Sequence, residues 1–277
     1  ELIRKGDPSD PLLRQVLPIG AENLPVPGFV RDPVGDLDQS IIPGVLSKYQ
    51  GRLLLIANGS CAVNCRYCFR RHYPYQEATA YRQHWQEALD HIHQAEKIDE
   101  IILSGGDPLT LGDGKLTELV SRLETIPHLK RLRIHTRLPV VIPSRLTPEL
   151  TRLLTGGRLQ PVVVLHINHA REISPELSSG LAPLKQAGVT LLNQSVLLTG
   201  VNDSTATLSA LSLALFDAGI LPYYLHLLDR VAGAAHFEVG IGHARQLQEE
   251  LRAYLPGYLM PRMVREAAGA AAKQPVF

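Results

Sequence analysis

Six short apolar runs recur along the chain at nearly regular intervals. Each has the length of a buried strand, and they are Arg52–Ala57, Glu100–Ser104, Arg131–Thr136, Val162–Ile167, Thr190–Leu197 and Pro222–Leu227. Their starts are 48, 31, 31, 28 and 32 residues apart. An interval near thirty residues fits one strand, one loop and one covering helix, so the pattern predicts repeated strand–helix units around a parallel sheet.

Between these runs, apolar residues recur with the period of a helix. The predicted helices are Trp85–Ala95, Leu116–Ile126, Pro148–Leu154, Glu176–Gln186, Thr205–Ala218 and Ala244–Tyr254. Thr147 and Ser204 immediately precede two of them and are suitable N-caps. Right-handed crossovers would wind the units into a curved sheet. Because a complete barrel has eight units, we expect an α/β fold, a partial (β/α)6 barrel that stays open.

This pattern divides the chain into three parts. We expect the (β/α)6 core to span residues 51–257. Residues 1–50 are rich in proline and glycine, which predicts an irregular N-terminal extension packed on the core. Residues 258–277 would form a separate C-terminal segment.

Composition and charge fit an ordinary globular protein. Of 277 residues, 45% are hydrophobic and 20% charged, and 28 Lys and Arg against 27 Asp and Glu give a net charge of +1. Proteins that bind nucleic acids or membrane surfaces are usually more basic, so we expect neither partner. No apolar run reaches the roughly 18 residues of a membrane span. The first residues lack both an initiator Met and a signal-peptide pattern, so we expect a cytoplasmic protein whose own start precedes residue 1.

All three cysteines lie within eight residues, in the pattern C-x3-C-x2-C formed by Cys61, Cys65 and Cys68. An odd, clustered set is not a disulfide framework. Three neighbouring thiolates can hold a four-iron cluster and leave one iron open for a substrate. The spacing alone also permits a zinc site completed by His72, or cysteines without any ligand role.

Polar residues come at or directly after the carboxyl ends of the predicted strands, which all lie at one edge of a parallel sheet. In such folds, ligands bind at the carboxyl ends of the strands. The candidates there are Gly105, Gly106, Asp107, His135, Arg137, His166, Asn168, His169, Gln194 and Asp229. Arg70 lies in the basic segment after the cysteines, and a guanidinium there is suited to a substrate carboxylate.

Several of these segments resemble the lysine 2,3-aminomutase family of radical S-adenosylmethionine enzymes. The matching segments are Cys65-Arg-Tyr-Cys68-Phe-Arg-Arg, Leu103-Ser-Gly-Gly-Asp-Pro-Leu109, Arg133-Ile-His-Thr-Arg-Leu-Pro-Val140, His166-Ile-Asn-His169, Leu192-Asn-Gln-Ser-Val-Leu-Leu198 and Gly233-Ala-Ala-His-Phe237. The resemblance runs from about Gly6 to Lys273. Within the family, the chain most resembles the short bacterial form that makes (R)-β-lysine for modification of elongation factor P.

The resemblance implies three cofactors: a 4Fe–4S cluster on Cys61, Cys65 and Cys68, S-adenosylmethionine, and pyridoxal phosphate. It implies Lys273 as the catalytic lysine that holds the pyridoxal phosphate, although the glycine-rich stretch of the family reads mostly Ala here. Lys48 and Arg52 match positions that contact this cofactor, and Lys48 stands where the family has Arg. The remaining cofactor-binding residues would be Gln194, Gly105, Gly106, Asp107, His135, Arg137 and His166.

The resemblance also implies the substrate and the partners. Free L-lysine would be held by Arg70 at its carboxylate and by Asp229 and Glu266 at its distal ammonium. A reducing electron donor of the flavodoxin or ferredoxin type would serve the cluster, and elongation factor P would receive the product through a separate ligase. A homo-oligomer is possible. Two other interpretations stay open: an aminomutase for another amino acid such as glutamate, and a non-catalytic zinc-binding adaptor.

Overall fold

A ten-stranded sheet forms the centre of the computed structural model, which describes residues 2–77, 80 and 85–276. The strands lie in chain order: β1 (Ser40–Ile42), β2 (Val45–Tyr49), β3 (Arg52–Asn58), β4 (Glu100–Gly105), β5 (Arg131–Thr136), β6 (Gln160–Leu165), β7 (Thr190–Val196), β8 (Leu221–His226), β9 (Arg262–Arg265) and β10 (Gln274–Pro275). β3 to β9 are parallel. The pairs β1–β2, β2–β3 and β9–β10 are antiparallel. Within the described residues β1 and β10 do not pair, so the sheet is open.

The α-helices of the described residues connect successive parallel strands or flank them. They are α1 (Pro11–Arg14), α2 (Gln86–Gln94), α3 (Asp113–Glu124), α4 (Leu138–Val141), α5 (Pro148–Thr155), α6 (Pro175–Gln186), α7 (Thr205–Asp217) and α8 (Ile241–Tyr254). Thr147 and Ser204 are N-caps as predicted, since their hydroxyls accept hydrogen bonds from the amides of Leu150 and Thr207. Each cap satisfies a helix N–H that has no partner within the helix.

The prediction of an open parallel α/β fold is confirmed, and each of the six expected strands is present within two residues of its predicted ends. The fourth strand stops at Leu165 rather than Ile167. The Asn193 side chain bonds both the N–H and the carbonyl of Ile167, at 2.9 and 3.0 Å, and so satisfies the backbone there. Four strands were not predicted: β1 and β2 within the extension, and β9 and β10 after α8. They are two to five residues long, too short for a clear periodic signal.

The core lies between the strands and the outer helices. Leu116, Leu119 and Leu123 of α3 are fully buried against strand residues such as Leu103 and Ile101. Burying a Leu side chain contributes about 1.5–3 kcal/mol, so these apolar faces hold the helices to the sheet. The core thereby fixes the carboxyl ends of the strands relative to one another. Among the described residues, none of the helices has the length and apolar character needed to cross a bilayer.

Candidate active site

The three cysteines lie in the loop that follows β3. None of them is in a disulfide; Cys61 is exposed, and Cys65 and Cys68 are half-buried. Burial and the neighbouring thiols raise the pKa of Cys61 to about 12 and that of Cys68 to about 11. The thiols therefore lie within electrostatic range of one another, and a metal would have to displace their protons.

The side chains around this loop do not suit a single zinc ion. His72, the predicted fourth ligand, is hydrogen-bonded through Nε2 to the carbonyl of Ala232 at 3.1 Å. Across the residues that the structure describes, no three His, Cys, Asp or Glu side chains are arranged to hold one ion. A four-iron cluster is different, because each of its cysteines binds a separate iron and the sulfurs need not meet at one point.

The N-terminal extension holds the cysteine loop in place. The buried carboxylate of Glu22 pairs with Arg66 and, at 2.9 Å, with Arg71. The Gln15 carbonyl accepts a hydrogen bond from the Arg66 amide at 2.8 Å. An exposed ion pair would contribute little, but Glu22 is only 5% exposed, so these contacts fix the backbone between Cys65 and Cys68.

Arg137 is directed at the cysteine loop. Its Nη1 donates to Cys65 Sγ at 2.8 Å and to the Tyr67 hydroxyl at 2.6 Å, and its Nη2 lies 2.8 Å from Glu172 Oε2 and from Gln15 Oε1. These contacts place Arg137 beside Cys65. The predicted contact of Arg137 with an organic cofactor stays a prediction.

Asp107 connects the loops after β4 and β5. Its Oδ1 accepts from the Leu109 amide and the Thr136 hydroxyl, and its Oδ2 accepts from the amides of Arg137 and Leu138, at 2.7–3.0 Å. A carboxylate has about four acceptor positions, and protein donors fill them all. Asp107 therefore joins the two loops, and its predicted contact with a cofactor stays a prediction.

Gly105 and Gly106 pack against the backbone that leads into the cysteine loop. A Cβ at Gly105, whose φ is +129°, would lie 2.2 Å from the Asn58 carbonyl oxygen, and one at Gly106 would lie 2.3 Å from that of Ser60. The Gly106 amide donates to Asn58 O at 3.0 Å. The close approach explains why both residues are glycines, and their predicted contact with S-adenosylmethionine stays a prediction.

Three histidines, of which His226 is buried and His135 and His166 are half-buried, lie at the carboxyl ends of β8, β5 and β6. The rings of His135 and His166 meet edge to face at 5.7 Å, and His226 Nε2 lies 2.9 Å from Gln194 Nε2. Burial lowers the pKa of His166 to about 4 and those of His135 and His226 well below the usual value, so all three rings are neutral near pH 7.

Two polar atoms of this group lack partners among the described residues, namely His135 Nε2 and Gln194 Oε1. Buried polar atoms nearly always have a hydrogen-bond partner, so these two indicate a bound polar molecule. The neutral rings and the amide suit the organic cofactors that the sequence implied, and the cysteine loop with its arginine donor suits an iron–sulfur cluster.

Beside the histidines, five charged side chains form a continuous series of ion pairs: Arg70, Asp36, Lys48, Glu266 and Lys273. Successive nitrogen–oxygen distances along it are 2.5, 2.5, 2.7 and 2.6 Å. We call this the charged series. Arg70 also donates to Ser104 Oγ at 3.1 Å, at the carboxyl end of β4. The structure therefore brings together four residues that the sequence predicted separately.

The hairpin of β9 and β10 explains why Glu266 and Lys273 meet. Gln274 is paired with Arg265 in the antiparallel register, so Lys273 and Glu266 come next on the facing strands. Their side chains are 19% and 13% exposed, and Lys273 Nζ lies 5.8 Å from the centre of the Tyr224 ring. The lysine near the C-terminus is therefore part of the site rather than a solvated tail.

Asp229 and Arg52 flank the charged series. Burial and the nearby Glu266 raise the pKa of Asp229 to about 7, and its carboxylate forms no ion pair with the residues that the structure describes. Arg52 sits over the ring of Tyr49 at 4.7 Å, at the start of β3. Asp229 thus offers a carboxylate that a new cation could neutralise. Arg52 contacts Tyr49 rather than a member of the charged series.

Sequence reasoning missed the polar residues that the extension inserts into the site. Asp10, Gln15 and Asp36 are fully buried, and each contacts a charged group of the core. They lie in a segment without periodicity, so no pattern marked them. His226 was also missed, although its place at the end of the sixth predicted strand could have identified it.

Comparisons with known proteins identify the family of the chain. Residues 55–208 match the family model of the radical SAM superfamily. The L-lysine 2,3-aminomutase of Escherichia coli (strain K12) is 52% identical over 274 residues, which are 99% of this chain and 80% of that protein. The L-lysine 2,3-aminomutase of Haemophilus influenzae is 52% identical over 267 residues, covering 96% of this chain and 79% of that protein.

A solved structure supports the fold. The radical SAM methyltransferase from Sphaerobacter thermophilus has a TM-score of 0.53 to this chain at 20% identity, over 81% of this chain and 71% of that one. Identity that low shows the fold alone. The two relatives that match nearly the whole of this chain show the family. The chain therefore belongs to the radical SAM superfamily and, within it, to the L-lysine 2,3-aminomutase family.

Proposed function

We propose that this protein converts L-α-lysine to β-lysine by moving the amino group from carbon 2 to carbon 3. The observation that carries the proposal is the charged series together with Asp229, next to a three-cysteine loop. It offers a buried guanidinium for one end of an amino acid and carboxylates for a cation at the other. Relatives that share 52% of the sequence bear the name of this activity.

The reaction needs three groups that the protein itself must hold. When bound, a 4Fe–4S cluster and S-adenosylmethionine supply a 5′-deoxyadenosyl radical that takes hydrogen from carbon 3, and pyridoxal phosphate supplies the π system through which the amine migrates. Cys61, Cys65 and Cys68 would hold the cluster. Three cysteine ligands would leave one iron free for S-adenosylmethionine, and His135, His166, Gly105 and Gly106 would contact that cofactor.

Lys273 would tether the pyridoxal phosphate. Its amine is mostly buried, faces Glu266 and lies near Tyr224. Gln194, with an unpartnered amide oxygen, and the cations Lys48 and Arg52 would contact the phosphate or ring oxygens of the cofactor. Lys48 already pairs with two carboxylates, so it would bring little net charge to the cofactor.

Arg70 would bind the carboxylate of lysine, and Asp229 with Glu266 would bind its distal ammonium. Arg70 is 7% exposed, so a carboxylate reaching it would be shielded from water and its hydrogen bonds would be strong. Glutamate, the substrate of the alternative aminomutase, would place a second carboxylate next to Asp229 and Glu266. Repulsion between like charges in a buried site disfavours that substrate.

The proposal includes an electron donor, a cellular compartment and an enzyme that consumes the product. Cys61 is exposed, which would let a flavodoxin or ferredoxin approach the cluster closely enough to reduce it. Free thiols and an oxygen-sensitive cluster suit a reducing compartment such as the cytoplasm. We further propose that the β-lysine is consumed by a separate ligase that modifies elongation factor P.

An anaerobic product assay tests the substrate. Reconstituted protein is incubated with dithionite, S-adenosylmethionine, pyridoxal phosphate and either L-lysine or L-glutamate, and the isomers are separated by chromatography and identified by mass spectrometry. We expect β-lysine from lysine and no β-glutamate. Formation of 5′-deoxyadenosine without β-lysine, or of β-glutamate instead, would show that the substrate is wrong. A colourless protein that contains zinc and no iron would favour the adaptor.

A further inference from the structure

Asp36, in the N-terminal extension, occupies the centre of the charged series. Its carboxylate is fully buried and touches two cations that belong to different parts of the site. Oδ2 lies 2.5 Å from Arg70 Nε, and Oδ1 lies 2.5 Å from Lys48 Nζ. A buried cation is costly unless an anion compensates it, so one carboxylate permits both cations to stay in the same small volume.

The contact with Arg70 uses one particular edge of the guanidinium. Asp36 accepts from Nε, and Ser104 Oγ accepts from Nη1 at 3.1 Å. For Nη2, the described part of the chain provides no hydrogen-bond partner. Two contacts at fixed positions define the plane of the guanidinium and leave a terminal N–H for a further anion. The two contacts therefore orient the Arg70 guanidinium and leave its Nη2 group available for an anion.

The backbone around Asp36 is itself held rigidly. The amides of Asp36 and Leu37 both donate to the carboxylate of Asp32, at 3.0 Å each. Gly35 adopts a φ of +67°, and a Cβ there would lie 3.2 Å from Ala268 Cβ, in the loop between β9 and β10. The segment is therefore anchored against the loop that carries Lys273, and Asp36 cannot easily shift away from Arg70.

We propose that Asp36 is a positioning residue for substrate recognition: it fixes the orientation of Arg70, and thereby the place of the substrate carboxylate, while it keeps Lys48 paired. The inference rests on the proposed substrate, L-lysine. Without the Asp36 charge, no carboxylate separates Arg70 from Lys48, which keeps only its pair with Glu266, and Arg70 loses the contact that orients it. The protein should then lose its preference for a ligand that has a carboxylate.

The test compares two ligands that differ only in that group. L-lysine and cadaverine (1,5-diaminopentane) are titrated calorimetrically into the holoprotein, and the ratio of their Kd values measures the contribution of the carboxylate. We expect Asp36→Asn to weaken lysine binding by about tenfold or more, the effect of a lost charged hydrogen bond. Cadaverine binding should change by less than about threefold, because that ligand has no group for Arg70.

Two further variants separate positioning from mere folding. Asp38→Asn is the matched control, because Asp38 is exposed two residues away, and its ratio should equal that of the wild type. In an Arg70→Gln background, adding Asp36→Asn should change nothing further, since Asp36 acts through Arg70. Circular dichroism and thermal melting establish that each protein is folded. If Asp36→Asn does not fold, the double variant Asp36→Asn/Lys48→Gln is measured against Lys48→Gln alone.

A folded Asp36→Asn protein with the wild-type ratio of lysine to cadaverine affinity would overturn the inference. So would an equal effect of Asp36→Asn in the presence and absence of Arg70. A different result, in which the wild type itself shows no preference for lysine over cadaverine, would refute the proposed substrate before Asp36 is considered. The two failures are therefore distinguishable in one set of titrations.

Discussion

Burial moves the pKa of the Asp229 carboxyl into the pH range in which the enzyme would work. Its pKa is raised to about 7 by desolvation and by the nearby carboxylate of Glu266. Glu266 differs, because Lys273 and Lys48 hold its pKa well below the usual value despite burial. The two carboxylates thus differ before lysine binds: Glu266 is paired with Lys48 and Lys273, whereas Asp229 has no ion pair among the described residues.

This difference predicts a pH dependence of lysine binding. Below pH 7 the Asp229 carboxyl is protonated and cannot pair with an ammonium, so affinity should rise with pH. Between about pH 6 and pH 8 we expect the affinity for lysine to increase about tenfold, because the deprotonated fraction changes by that factor. His166, with a pKa of about 4, does not titrate in this range.

Titration calorimetry over this range checks the prediction. Asp229→Asn should bind lysine weakly at every pH and lose the rise, because an amide does not titrate. An unchanged pH profile in Asp229→Asn would assign the rise to another group.

A second prediction for a single residue concerns Lys273 and the binding of pyridoxal phosphate. Replacing Lys273 with Ala should abolish the visible absorbance of protein-bound pyridoxal phosphate, while the iron content stays that of the wild type, because the Lys273 amine contacts Glu266 and the Tyr224 ring rather than a cysteine. Lys185→Ala is the control, since Lys185 is an exposed lysine of α6. If Lys273→Ala retained the pyridoxal absorbance, another amine would have to be the tether.

At the scale of elements, the loop after β4 and the loop after β3 depend on each other. Gly105 and Gly106 let the two backbones come within hydrogen-bond distance, and Asp107 ties both to the start of α4. The cysteine loop has little secondary structure of its own. Its geometry is therefore set by the neighbouring strand end and by the extension.

Gly106→Ala tests this dependence. The added methyl group would come within 2.3 Å of the Ser60 carbonyl oxygen, so a backbone shift is required. We expect a loss of about 1–3 kcal/mol in the free energy of unfolding and a lower iron content after reconstitution. Gly114→Ala is the matched control, because a methyl there meets nothing within 4 Å. Equal iron content in both variants would mean that the contact does not shape the loop.

The elements differ in how well sequence predicts them, for a physical reason. β3 and β4 are mostly buried and apolar, β5 and β7 alternate buried and half-buried positions, and the helices between the strands show a clear period. β1, β2, β9 and β10 are short and partly exposed, so their pairing depends on neighbours that are remote in sequence. The hairpin that joins Glu266 to Lys273 belongs to this second group, and only the structure explains their contact.

The candidate site follows the same division. Cys61 could be predicted from the cysteine spacing, Arg70 from the basic segment after it, and Asp229, Glu266 and Lys273 from the family resemblance. Their partners in the extension, Gln15, Glu22 and Asp36, could not, since a buried polar residue in an irregular segment has no sequence signature. The directions of Arg137 and Asp107 also depend on tertiary contacts, which strand-end position alone does not determine.

At the scale of the whole molecule, the N-terminal extension packs against the open sheet beside the candidate site. The parallel strands bring the cysteine loop and the histidines to one edge, and the β9–β10 hairpin brings Lys273 to Glu266 and the Tyr224 ring. The extension contacts the cysteine loop, the charged series and the β9–β10 loop, and so closes part of what the sheet leaves open. An enclosed site protects carbon radicals from water and oxygen.

The path of one hydrogen atom tests the central claim most directly. Reconstituted protein is incubated anaerobically with dithionite, S-adenosylmethionine, pyridoxal phosphate and L-lysine deuterated at carbon 3, and the products are examined by mass spectrometry and NMR. The account predicts deuterium in the 5′ position of the adenosyl group and at carbon 2 of β-lysine. β-Lysine that keeps all its deuterium at carbon 3, or deuterium-free adenosyl products, would contradict it.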